Sequence, residues 1–115
     1  MKLVIERSRW WRGQSSDWSF LLNNDKKMCC LGFLSLACGL GLEDIREVRT
    51  VAKVETALPE SLHFLLHVNE TDVDSSDMAV RLMDANDRQG LTEERREALL
   101  TELFATQDIQ VEFVD

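Results

Sequence analysis

Apolar and polar residues alternate at both ends of the chain. Residues 2–7 place Leu3 and Ile5 on one face and Lys2, Val4 and Glu6 on the other, and residues 109–114 set Ile109, Val111 and Phe113 against Gln110 and Glu112. A period of two is the mark of a half-buried strand, so two strands are predicted at the termini. Residues 18–22, bounded by Asn23, Asn24, Asp25 and Lys26, form a weaker third strand candidate, and residues 50–55 a fourth. Between them the period changes. Residues 28–38 are apolar on nearly every face and stop at Gly39, a residue suited to the left-handed position that ends a helix. This predicts a buried central helix. Gly32 inside it costs up to about 1 kcal/mol relative to alanine, which implies that another element packs closely against that face.

Pro59 can open a short helix over residues 60–66. Ser76 can cap a helix carrying Met78, Ala79, Leu82 and Met83 at helical spacing, and Thr92 a second one carrying Leu99, Leu100, Leu103 and Phe104 to about Thr106. Glu93 and Glu94 suit the positive end of that last helix. The predicted fold is α+β, one domain over residues 1–115. Its small sheet pairs the N- and C-terminal strands, a buried central helix lies beneath, and a C-terminal helix pair is joined by residues 86–91. Leu3, Ile5, Leu31, Phe33, Leu34, Leu82, Leu99, Leu103, Val111 and Phe113 are the expected core.

Length and composition agree with this. A chain of 115 residues with 44% hydrophobic and 30% charged residues has the composition of a folded domain and the length of one core. No stretch approaches the roughly 20 apolar residues that span a bilayer, and the first residues break at Glu6 and Arg7 before a signal peptide's apolar run is complete. A membrane partner and export are therefore not expected. Cys29, Cys30 and Cys38 lie on one predicted helix; Cys30 and Cys38 would stand ~12 Å apart along it, beyond a disulfide's reach. Free thiols fit the reducing cytosol.

The net charge of −8 is unevenly placed. Residues 1–53 hold nine Lys or Arg against six Asp or Glu, whereas residues 54–115 hold four against fifteen. An acidic half disfavours phosphate binding and favours steering toward a basic partner; its simplest role is a solubilising surface.

The chemical motifs are incomplete. Gly39 and Gly41 begin a dinucleotide fingerprint whose third glycine is replaced by Asp44. His63 and His67 have the spacing of a zinc peptidase, but Phe64 stands where the catalytic Glu is required. Those histidines with one or two cysteines leave a structural zinc site as an alternative. Cys29 and Cys30, at a helix start after Lys26 and Lys27, leave a reactive thiol as another. The segment from Asp84 to Gly90 has a calcium loop's composition, with the glycine one place late and Arg95 where a bidentate Glu belongs. It reads as a polar turn. No enzyme activity, cofactor or metal is expected.

Two surfaces remain as candidates for binding a partner. Residues 7–12 mix Arg7, Arg9 and Arg12 with Trp10 and Trp11, the composition of a protein interface or a base-stacking surface. In the simplest arrangement one or both tryptophans close the core beside the first strand and the arginines pair with acidic residues of the C-terminal half. The helices of that half place Asp84, Asp87, Glu93 and Glu97 in rows, with Arg96 beside Glu93. Trp10, Trp11, Arg12, Asp84, Asp87, Glu93 and Glu97 are thus the candidate partner-binding residues.

The stretch from Ser8 to Gly13 (SRWWRG) and the string KMCCLGF from Lys27, with Ala37-Cys38-Gly39, resemble small proteins of tailed bacteriophages and prophages. So do LMDAND from Leu82, EERRE from Glu93 and VEFV from Val111. That resemblance implies a setting in the cytoplasm of a bacterial host and an accessory role, binding and modulating or inhibiting a host or anti-phage defence protein. Such a partner would carry a basic surface. A nucleic-acid-associated protein using residues 7–12 is the alternative, and direct nucleic-acid binding is not expected.

Overall fold

The computed structural model describes residues 1–13, 19–66 and 78–115. Strand β1 (Lys2–Glu6) and strand β2 (Gln110–Val114) pair in register from Lys2 with Gln110 to Glu6 with Val114. The two run parallel. Parallel neighbours need a crossover, and here the crossover is the whole intervening chain. Leu3 and Ile5 point inward and are fully buried, with Val111 and Phe113 half-buried beside them. Lys2 and Val4 face solvent, where Lys2 Nζ meets Glu112 at 2.7 Å.

Helix α1 (Cys30–Ala37) is the expected central helix, beginning two residues later than its apolar run because Cys29 is extended and caps it. Its residues from Cys30 through Ser35 are all buried, and the Ser35 hydroxyl donates to the Leu31 carbonyl at 2.7 Å, which satisfies the one polar side chain inside it. The element that Gly32 admits is the backbone of Leu21: a Cβ built on Gly32 would stand 2.0 Å from the Leu21 carbonyl oxygen. Leu21 is held there by its N–H to Val48 at 2.6 Å.

A short helix α2 (Leu42–Ile45) follows, its start tied by the Gly41 N–H donating to Asp44 at 2.8 Å. Pro59 opens a 3₁₀ turn over Glu60–Leu65 whose Leu62 and Leu65 are buried. Helix α3 (Met78–Asp87) and helix α4 (Glu93–Ala105) pack on each other as the expected C-terminal pair. Thr92 caps α4 by accepting from the Arg95 N–H at 3.2 Å. The proposed cap at Ser76 lies outside the described residues. Together these elements make a small α+β fold with paired terminal strands.

Two expected strands are corrected. Residues 50–55 contain a 3₁₀ turn, Val51–Lys53, because the Thr50 hydroxyl accepts from the Ala52 N–H at 3.1 Å and closes the backbone locally. Of residues 18–22, Trp18 lies outside the described residues, and Ser19 to Leu22 make a single parallel bridge, Leu22 with Arg46, rather than a strand. Leu99, Val111 and Phe113 sit half-buried against the core instead of inside it, while Leu21, Leu22, Ile45 and Val51 are fully enclosed.

Candidate functional site

Beyond β1 the chain makes a 3₁₀ turn over Arg7–Arg9 and then runs extended beside residue 28. The Met28 N–H donates to Arg9 and the Trp11 N–H to Met28, both at 2.9 Å. These two bonds alternate the tryptophans: Trp10 turns in and is 3% exposed, whereas Trp11 stays half-exposed. The turn before residue 28 is built by Asn23, whose Oδ1 accepts from the N–H groups of Asp25 and Lys27. It brings the Lys27 ammonium 5.9 Å from the centre of the Trp11 ring.

Behind Trp11 lies a buried polar network centred on Asn86, at the end of α3. Asn86 is wholly buried and uses its amide fully. Its Oδ1 accepts from Trp10 Nε1 at 2.7 Å and from the Cys30 N–H at 2.9 Å; its Nδ2 donates to the Trp11 carbonyl at 3.0 Å and to Asp87 at 2.8 Å. Asp87 is held in turn by the N–H and hydroxyl of Ser19. A group this enclosed is tolerated only because each atom is paired.

Arg96 of α4 completes the network. It is 4% exposed and donates to the carbonyls of Ala85, Asn86 and Arg88 at 2.8–2.9 Å, closing the otherwise open C-terminal end of α3 with a cation. Burial lowers its pKa from the ordinary arginine value. Gly13 lies over it with φ +60°, and a Cβ there would stand 2.6 Å from Arg96 Nη2. Both features favour glycine at this position.

The arginines of the first half meet carboxylates of the second. Arg7 grips Glu97 through two bonds of 2.8 Å and reaches Asp115 at 2.9 Å. Arg12 lies 4.1 Å over the Trp10 ring, donates to the Trp10 carbonyl and pairs with Glu93 at 2.5 Å. Arg7, Trp11, Arg12, Lys27, Glu93 and Arg96 thereby line one cleft of about 440 Å³.

The candidate residues therefore divide. Trp11, Arg12 and Glu93 meet at the cleft. Trp10 also borders it but is corrected to an internal residue, stacked 5.2 Å from Phe113 and bonded to Asn86. Asp87, 8% exposed, belongs to the network and not to an outer carboxylate row. Glu97 is engaged by Arg7, and Asp84, on the exposed side of α3, pairs with Arg88. The expected carboxylate row is thus neutralised within the chain at three of its members and buried at the fourth.

The alternative chemistries fare differently. All three cysteines are free, Cys29 and Cys30 are buried, and Cys38 is half-buried. Burial pushes the Cys29 thiol up to about 12 and raises that of Cys30 as well, the reverse of what a nucleophile needs. His63 is exposed, with Nε2 3.3 Å from the Leu58 carbonyl, and His67 lies outside the described residues. Among the described residues, no group of three His, Cys, Asp or Glu side chains is placed to hold a metal ion. Nor is any helix among them long and apolar enough to cross a membrane. Sequence reasoning missed Asn86 and Arg96 as the residues that build the site. A polar residue on a helix carries no local sign of burial, and Arg96 reads as one more member of a mixed-charge surface row.

No family model, curated protein or solved structure matches the chain.

Proposed function

We propose that this protein is a non-catalytic binding module of the phage-accessory kind its motifs resemble. It acts in a bacterial cytoplasm by docking on a host or defence protein and modulating or inhibiting it. The supporting observation is the half-exposed Trp11 at the rim of the 440 Å³ cleft, braced from behind by the Asn86 network. Tryptophan and arginine set into a rigid frame are the usual anchors of protein interfaces, because they bury much area while losing little freedom.

The acidic rows supply a weaker surface for a basic partner than the composition implies, since Glu93 and Glu97 already hold Arg12 and Arg7. The same pairs speak against a nucleic-acid interface over residues 7–12: two of its arginines would have to leave carboxylates before meeting phosphates. The test is photocrosslinking from position 8, at the exposed Ser8 that also lines the cleft, in the bacterial host, followed by affinity measurement with the purified partner. Trp11→Ala should weaken that affinity at least ~30-fold, the loss expected of a hot-spot residue, with the thermal melt unchanged. An unaltered dissociation constant would refute the reading.

A further inference from the structure

The cleft carries a charge opposite to that of the molecule. In a chain of net charge −8, four cationic side chains among the described residues, Arg7, Arg12, Lys27 and Arg96, line it, and the one carboxylate that lines it among them is Glu93. Two of the four are neutralised nearby, Arg7 by Glu97 and Asp115 and Arg12 by Glu93. The other two have no carboxylate within ion-pair distance among the described residues. Arg96 bonds only to backbone carbonyls, which take three of its five N–H groups, and Lys27 lies against the Trp11 ring. Burial outweighs the attraction that Arg96 feels from Glu93 and, more weakly, from Asp87, neither of which it bonds, so the cost of holding this cation falls further when an anion arrives. The partly desolvated walls also keep the field of Arg96 from being screened as it would be in open water.

Resting on the docking role argued above, we propose that this cleft is an oxyanion pocket that seats an acidic side chain of the partner protein. Arg96 and Lys27 supply the fixed attraction, and Trp11 packs on the stem that carries the carboxylate. Arg12 is the movable member: it can exchange Glu93 for the incoming carboxylate while remaining stacked on Trp10. The cleft volume suits one or two side chains. A polynucleotide would have to continue from it across Glu93, Glu97 and Asp115, which border the same arginines.

Titration of the intact protein with a blocked tetraglutamate peptide, followed by NMR at the Trp11 indole and the arginine Nε–H signals, tests this. The peptide should shift Trp11, Arg12 and Arg96 saturably and less so as salt rises, while the tetraglutamine counterpart should leave them in place. Lys27→Glu, at a half-buried surface position, should weaken binding about tenfold, the worth of one charge-assisted contact. Glu93→Gln should strengthen it about threefold by releasing Arg12 from its surface pair. A gain of this sign cannot come from damage to the fold.

Unmoved signals at millimolar peptide, or weaker binding by Glu93→Gln, would overturn the oxyanion pocket. So would tighter binding of a short oligothymidylate than of the peptide. If the pocket fails while Trp11→Ala still abolishes partner binding, the docking role stands without it. If Trp11→Ala leaves the partner's affinity intact, the docking role itself falls, whatever the peptide does.

Discussion

Truncating Asn86 should be among the most damaging single changes in this protein. Asn86→Ala removes the acceptor of two buried donors, Trp10 Nε1–H and the Cys30 N–H, and one donor to the Trp11 carbonyl. Asp87 keeps Ser19 and loses little. Each buried donor left unpaired costs about 1–3 kcal/mol, so the two together cost about 4 kcal/mol. For a chain of 115 residues, total stability is about 6–17 kcal/mol at the usual 0.05–0.15 per residue. The variant therefore folds with much of its margin gone. Urea unfolding followed by tryptophan fluorescence measures this directly. At a slope of about 1.5 kcal/mol/M, the midpoint should fall by about 2.5–3 M with the slope unchanged. Asn86→Asp provides a second, signed readout. It keeps an acceptor but sets a carboxylate beside Asp87, so the loss should be largest at neutral pH and shrink as acidification neutralises the introduced carboxylate. A midpoint shift below about 0.7 M for Asn86→Ala, or a pH-independent loss for Asn86→Asp, would show that the network does not brace the site.

Other outcomes follow from the same geometry. Gly32→Ala should destabilise the fold by about 3 kcal/mol or more despite alanine's helical advantage of about 1, because its Cβ would collide with the Leu21 carbonyl; a thermal melt equal to wild type would refute this. Thiol labelling of the native protein near pH 8 should modify Cys38 alone, and fast reaction of all three would contradict the enclosure of Cys29 and Cys30. The Asp44 carboxyl is held below the usual carboxylate range by the Thr56 hydroxyl and then by the Gly41 N–H. A depressed pKa adds stability that is present above the unfolded-state value and lost as pH falls through the folded one. An NMR titration should therefore place Asp44 below its ordinary value, and Thr56→Ala should move it up; no movement would refute that assignment.

The parts of this molecule legible in the sequence are those with a local physical signal. Alternation over residues 2–7 and 109–114 gave both strands their inner faces, Gly39 marked the end of α1, and Thr92 marked the start of α4 through its own hydroxyl. Gly32 even announced a close neighbour, though not that it would be the Leu21 backbone. What stayed hidden depends on residues far apart in the chain. Parallel pairing of β1 with β2 leaves no trace in either strand, and Asn86 reads as turn material because three of its four side-chain partners, Trp10, Trp11 and Cys30, lie on other segments. The site was half visible: Trp11, Arg12 and Glu93 could be named, but Lys27 enters only through the Asn23 turn, and Arg96 only through the packing of α4 on α3.

The parallel register of the terminal strands also governs when the fold can close. Lys2 pairs with Gln110, 108 positions along the chain, so the sheet has no local hairpin from which to nucleate. Closing a loop of that length costs about 4 kcal/mol of chain entropy before any strand contact repays it. During synthesis, Leu3 and Ile5 leave the ribosome more than 100 residues ahead of the strand that covers them. Until Val111 and Phe113 arrive, those apolar side chains lack their final cover. Closure of the sheet is therefore a late event, and truncating β2 should leave a chain whose first strand is a ready target for chaperones or proteases.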